Sequence, residues 1–208
     1  MARIIIIEED MELCVLLEKV LGNLGHSVTS CDGRAEFIQT LRSSSAFDLA
    51  LIDVTIGGGK SLQTLLHLQK HDLPVLVVTD PQSDIEAVAI ELGADGCLVK
   101  PLSNEVIGDV VSAVIERSKD TSVEIEVDGL SLRAEQRLVA IGAKQVKLST
   151  TECALLEQLL LSAGSVAKKE TLLTTVVGQC LELFIQLLSR KLGRQILSVG
   201  DEGFLFVV

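Results

Sequence analysis

Short apolar runs punctuate the first hundred residues, and four of them stop at a polar side chain. Ile4 to Ile7 ends at Glu8, Leu49 to Ile52 at Asp53, Val75 to Val78 at Thr79, and Cys97 to Val99 at Lys100. Runs this short cannot make helices and predict strands buried on both faces, the habit of parallel sheets. A further strand is predicted over 27–31, and helical spacing falls between the strands, over 11–24, 34–44, 61–69, 83–92 and 103–117. This βα alternation predicts a five-stranded parallel sheet with helices on both faces and right-handed crossovers.

The polar stretch 117–122 interrupts the alternation, and the texture then changes. We therefore expect a first domain over 1–117, a linker over 118–122 and a second domain over 123–208. Runs at 123–127, 130–132, 138–141 and 145–148, punctuated by Asp128-Gly129 and Gly142, predict short antiparallel strands. Ser149-Thr150-Thr151-Glu152 spells a capping box ahead of a helix through Leu161, which Ala163-Gly164 ends. Helices over 168–177 and 181–192 and a closing hairpin over 196–208 complete the chain.

Open parallel sheets place ligands beyond the carboxyl ends of their strands, so the four polar endings should share one crevice. Carboxylates gathered there repel one another unless a hard cation sits among them, and an oxygen-only set with retained waters suits Mg2+. Lys100 and Thr79 add a positive charge and a hydroxyl donor able to hold a phosphoryl oxygen. Asp53, facing both, could accept a phosphoryl group.

The chain has 208 residues and a net charge of −11, unevenly spread. Through Asp120 there are 9 basic and 19 acidic residues, a net of −10; from Thr121 onward, 9 and 10, a net of −1. Such acidity excludes broad attraction to a phosphate backbone, so any DNA contact needs a local basic patch. No apolar run approaches a membrane span, and the start resembles no signal peptide, so a cytoplasmic protein with no membrane partner is expected. Cys14, Cys31, Cys97, Cys153 and Cys180 lack paired spacing and read as small buried hydrophobes. No nucleophile–base pair stands outside the crevice, so an independent enzyme is not expected.

Arg3 to Asp10, Asp48 to Asp53, Pro74 to Thr79 and Gly93 to Pro101 fall in the order of a known family. The first half resembles the receiver domain of two-component response regulators. The second half resembles the winged-helix effector of the OmpR/PhoB-type subfamily, through Leu148 to Leu156, Gly164 to Leu173, Cys180 to Gly193 and Ile196 to Phe206. The resemblance implies a flavodoxin-like doubly wound receiver followed by a winged-helix α+β domain. It further implies that Asp53 takes phosphate from a histidine kinase, that Thr79 and Lys100 hold the phosphoryl group, and that Glu8, Glu9, Asp53 and Thr55 serve Mg2+. Thr79 and Cys97 stand at its switch positions.

The chain departs from that pattern at several places. Glu9 replaces an aspartate at the metal, Asp80 a small neutral residue, and Cys97 an aromatic ring that could swing inward. Gly57-Gly58-Gly59-Lys60 replaces a tighter turn. In the effector, Leu187 and Ser189 stand where arginines are usual and Phe184 where a histidine is. Leu197, Gly200 and Leu205 replace arginines of the wing, whose tip carries Asp201 and Glu202. The long loop before the last helix shrinks to Gly178-Gln179. Lys168, Lys169, Gln186, Arg190, Lys191 and Arg194 remain as candidate DNA contacts. Three functions stay open: a phosphorylated, DNA-binding transcriptional regulator; a signalling adaptor whose winged helix uses exposed Leu187, Leu197 and Leu205 to bind a protein, with or without phosphorylation; and a constitutive, phosphate-independent regulator acting as a dimer, suggested by Glu9, Asp80 and Cys97. The last receiver helix lacks the arginines of family dimers, though some self-association into a homodimer is expected.

Overall fold

The computed structural model describes residues 1–43, 47–54, 60–68, 72–81, 85–118, 124–176 and 180–207, with only the backbone of 60–62. They fall into two compact units, Met1–Ile115 and Glu116–Val208. The first contains the predicted parallel sheet: β1 (Arg3–Ile7), β2 (Ser27–Cys31), β3 (Leu49–Asp53), β4 (Val75–Thr79) and β5 (Gly96–Val99), in the order β2-β1-β3-β4-β5. Every residue of β3 and β4 is buried, as are Ile4 to Ile7. Continuous apolar runs are what a strand covered on both faces needs.

Helices α1 (Met11–Asn23), α2 (Arg34–Ser43), α3 (Lys60–Leu68), α4 (Ile85–Glu91) and α5 (Asn104–Arg117) follow the strands in turn. The chain steps from β1 outward to β2, then crosses back to β3 and continues to β4 and β5. With right-handed crossovers, this reversal puts α1 on the opposite face from α2, α3 and α4. It also opens a switch point between β1 and β3, where such sheets bind ligands.

Two aspartates just ahead of apolar runs pin the sheet's register. Asp48 pairs its N–H with the Arg3 carbonyl at 2.8 Å, while its carboxylate accepts from the Arg3 N–H at 2.7 Å. Asp95 does the same to Val75, at 2.7 and 2.9 Å, and is itself buried. Each precedes an apolar run, which is the signal the sequence offered.

In the second unit β6 (Glu124–Val127), β7 (Leu130–Arg133), β8 (Leu138–Ile141) and β9 (Lys144–Lys147) form an antiparallel sheet in sequence order. Asp128 and Gly129 both take positive φ, 48° and 71°, making the tight turn their sequence suggested. A 3-10 turn, Ala134–Gln136, was not anticipated. The predicted capping box is present: the Ser149 hydroxyl accepts from the Glu152 N–H and the Glu152 carboxylate from the Ser149 N–H. It starts α6 (Thr150–Leu161), followed by α7 (Lys169–Thr175) and α8 (Leu181–Leu192), and then by β11 (Ile196–Val199) and β12 (Gly203–Phe206). Three helices closed by a hairpin are the winged-helix arrangement.

One strand was missed. Val166–Lys168 forms β10 against β12, so Lys168 is extended and α7 begins one residue later than expected. Three residues carry no readable alternation; the partner strand defines them. Gly203, opposite Lys168, has φ +152°, and a Cβ there would strike the Ala167 carbonyl oxygen. Gly203→Ala should therefore lower stability by about 2–4 kcal/mol, read as an earlier urea transition.

Candidate functional site

The four polar endings meet as expected in part. Glu8, Asp53 and Thr79 are 4%, 2% and 1% exposed, at or just past the carboxyl ends of β1, β3 and β4. Backbone bonds from Val54 to Val78 and from Lys100 to Thr79, both 2.9 Å, hold the ends of β3, β4 and β5 level. Lys100 then reaches across to Asp53, Nζ to Oδ2, at 2.7 Å. The Lys100–Pro101 bond is cis. Burial alone would lower the Lys100 ammonium. Its hydrogen bond to Asp53 and the charges of Asp53, Glu8 and Asp80 outweigh that and hold it above the usual lysine value.

Glu8 is the less comfortable carboxyl. Its Oε1 accepts from the Asp10 N–H at 2.8 Å, while Oε2 is buried with no hydrogen-bond partner among the described residues. Burial, reinforced by the Asp53 charge and only partly offset by the Asp10 N–H and Lys100, pushes Glu8 up to about 7. An orphaned carboxylate oxygen beside a second carboxylate is a donor set that a hard divalent cation satisfies.

The wider acidic cluster is not assembled. Glu9 is exposed, and Asp10 turns away to cap α1, its Oδ1 accepting from the Glu12 N–H at 2.9 Å and the Leu13 N–H at 3.3 Å. Among the described residues no three His, Cys, Asp or Glu side chains converge on one point. A cation here would keep several waters, as Mg2+ does. Thr55, Gly57-Gly58-Gly59 and the Lys60 side chain lie outside the description. Cys97 is 5% exposed within β5, and Thr79 Oγ1 donates to the Asp80 carbonyl at a long 3.4 Å. Cys31, Cys153 and Cys180 are also buried and Cys14 is half-buried, with burial raising the Cys31 thiol and pushing that of Cys153 up to about 11.

The candidate DNA face needs more correction. Leu181, Phe184, Ile185, Leu187, Leu188 and Leu192 of α8 all point inward. Leu187, at 6% exposure, belongs to a wide apolar stripe and not to the outer surface where it was expected. Leu205 is half-buried on central strand β12, and only Leu197, 47% exposed, is an outward wing leucine. Glu182, Gln186 and Arg190 recur every four residues along the exposed side of α8.

Several cations are committed inside the unit. Lys191 Nζ sits 2.5 Å from Oε1 of fully buried Glu152, the capping-box carboxylate. Arg194 grips the β6–β7 turn, donating to Asp128 Oδ2 at 3.0 Å and to the Asp128 carbonyl at 2.9 Å. Lys169 lies 2.9 Å from Glu182. Lys168 and Arg190 are exposed. No described helix is long and apolar enough to cross a membrane.

A parallel sheet in this order, ending in a buried aspartate paired with a lysine beside a second carboxyl, defines a receiver. Residues 4–112 match the model of the response regulator receiver domain. The chain is 30% identical over 210 residues to the transcriptional regulatory protein CpxR homolog of Haemophilus influenzae, covering 94% of this chain and 92% of that one. It shares its fold with a mutant of RitR (TM-score 0.74, 20% identity, 99% of each chain) and with DrrB of Thermotoga maritima, described as an OmpR/PhoB homolog (TM-score 0.55, 21% identity, 100% of each). The chain belongs to the response regulator family, in its OmpR/PhoB-type subfamily. Receivers of this family generally bind Mg2+ at the phosphorylation site.

The Glu8 carboxyl makes a pH prediction. Folding raises it from 4.5 to about 7, so the folded state holds a proton that the unfolded chain has lost. This stabilisation is complete below about pH 4.5 and disappears as pH rises toward 7. In chelator, wild-type stability should fall across that window by about 2–3 kcal/mol more than that of Glu8→Gln, measured by urea melts at stepped pH.

Proposed function

We propose that this protein is the response regulator of a two-component phosphorelay, phosphorylated at Asp53 by a histidine kinase and acting on transcription through DNA binding by its second domain. The pair of half-buried Lys100 and buried Asp53, beside Glu8 at the sheet's switch point, is the observation that carries this reading. An Asp53 carboxylate oxygen attacks phosphorus as the bond to the kinase's imidazole nitrogen breaks. Lys100, already 2.7 Å away, neutralises charge on the phosphoryl oxygens, and the Thr79 hydroxyl donates to one of them. Glu8, Glu9, Asp53 and Thr55 are the residues that would hold Mg2+, which supplies charge neutralisation for the incoming phosphate.

The domains are assigned as 1–117 for the receiver, 118–122 for the linker and 123–208 for the effector, in a cytoplasmic protein. On the effector, Gln186 and Arg190 on the open side of α8, with Lys168 nearby in sequence to α7, are the contacts we favour. Lys169, Lys191 and Arg194 serve mainly the unit's own carboxylates. A second reading, an adaptor binding a protein through the wing, is favoured by exposed Leu197 and the anionic tip Asp201-Glu202. Burial of Leu187 removes much of its support.

Acyl phosphate with a divalent cation should add one phosphoryl mass to the intact protein and none to Asp53→Ala; an unmodified wild type would overturn the phosphoacceptor assignment. Across a pool of genomic duplexes, binding should weaken steeply with salt, and Arg190→Ala should reduce the salt slope by about one unit. Salt-insensitive binding, or none, would favour the protein-binding alternative.

A further inference from the structure

Asp80 is the first residue past β4. The register that sets Asp53 against Val78, and the Lys100 N–H against the Thr79 carbonyl, brings the end of β4 to the mouth of the crevice between phosphoacceptor and lysine. Thr79 is buried and Asp80 is exposed, so the chain emerges into solvent between these two residues. The strand end engages Asp80 through its carbonyl, which accepts from the Thr79 hydroxyl. Its negative charge is felt at Lys100.

The charge balance at this mouth is unusual. Lys100 is already matched by Asp53 at 2.7 Å, and Glu8 stands behind them. Exposed Asp80 therefore adds negative charge beside a crevice whose lysine is already matched. A donor carried on a protein can bring cations of its own to that edge. A free small anion brings no such cations, so the repulsion from Asp80 grows with its charge.

Building on the assignment of Asp53 as acceptor, we infer that Asp80 is a specificity-determining residue that selects among phosphoryl donors by charge, disfavouring small, highly anionic ones. Its effect is on approach, and it forms no bond in the transfer. Asp80→Asn keeps the shape and removes the charge, so it separates electrostatic from steric control.

The test compares acetyl phosphate, close to a dianion at neutral pH, with phosphoramidate, which carries less charge. Initial rates of phosphorylation of the full chain are followed by intact mass at low and high salt. If Asp80 contributes about one RT of repulsion per unit of donor charge, Asp80→Asn should speed acetyl phosphate about five- to tenfold and phosphoramidate about two- to threefold. Both gains should shrink toward unity at high salt. Equal gains for the two donors, salt-independent gains, or no gain would each overturn the inference while leaving Asp53 as acceptor. If neither donor modifies wild type or variant, and circular dichroism shows both folded, the acceptor assignment falls as well.

Discussion

Parallel register is the constraint on which the crevice depends. Four side chains from four chain segments meet only if their strands end level, and side-chain direction reverses with every residue along a strand. The two aspartates that clamp Arg3 and Val75 act at the amino ends of β3 and β5, each making two bonds to one neighbouring residue. A strand of five residues spans roughly 16 Å, so an alignment set at one edge of the sheet is felt at the other. The polar ends are expensive to bury, and the apolar Ile, Leu and Val runs behind them offset that cost.

Much of this was legible in the sequence because burial on both faces leaves an unmistakable trace. A run such as Leu49 to Ile52 has no polar gap, and its limits coincide with those of β3 save for the terminal Asp53. That Asp53 and Lys100 share one crevice followed from the order of the strand endings; their direct pairing did not. That only Glu8 of the first three acids is buried did not follow. Asp10 is drawn off by two helix N–H groups, and Glu9 stays in water. Those outcomes depend on where α1 begins, which the acidic triplet itself does not specify.

The effector was harder to read for two physical reasons. β10 exists because β12 offers it hydrogen bonds, and nothing in three residues announces that. Leu187 was placed by position along a resemblance, whereas its burial follows from the width of the apolar stripe on α8. The same contrast governs the cations. Sequence lists them as one basic group, but the fold ties Lys191 and Arg194 to the carboxylates of Glu152 and Asp128.

That pairing changes the economy of recognition. An effector whose Lys169, Lys191 and Arg194 are tied to its own carboxylates releases few counterions on meeting a duplex, so each chain contributes only a small electrostatic increment. On the DNA-binding reading proposed above, occupancy would then depend more on effective concentration than on the strength of any single contact. Such a surface would remain silent when the protein is dilute and respond sharply to whatever gathers its copies together.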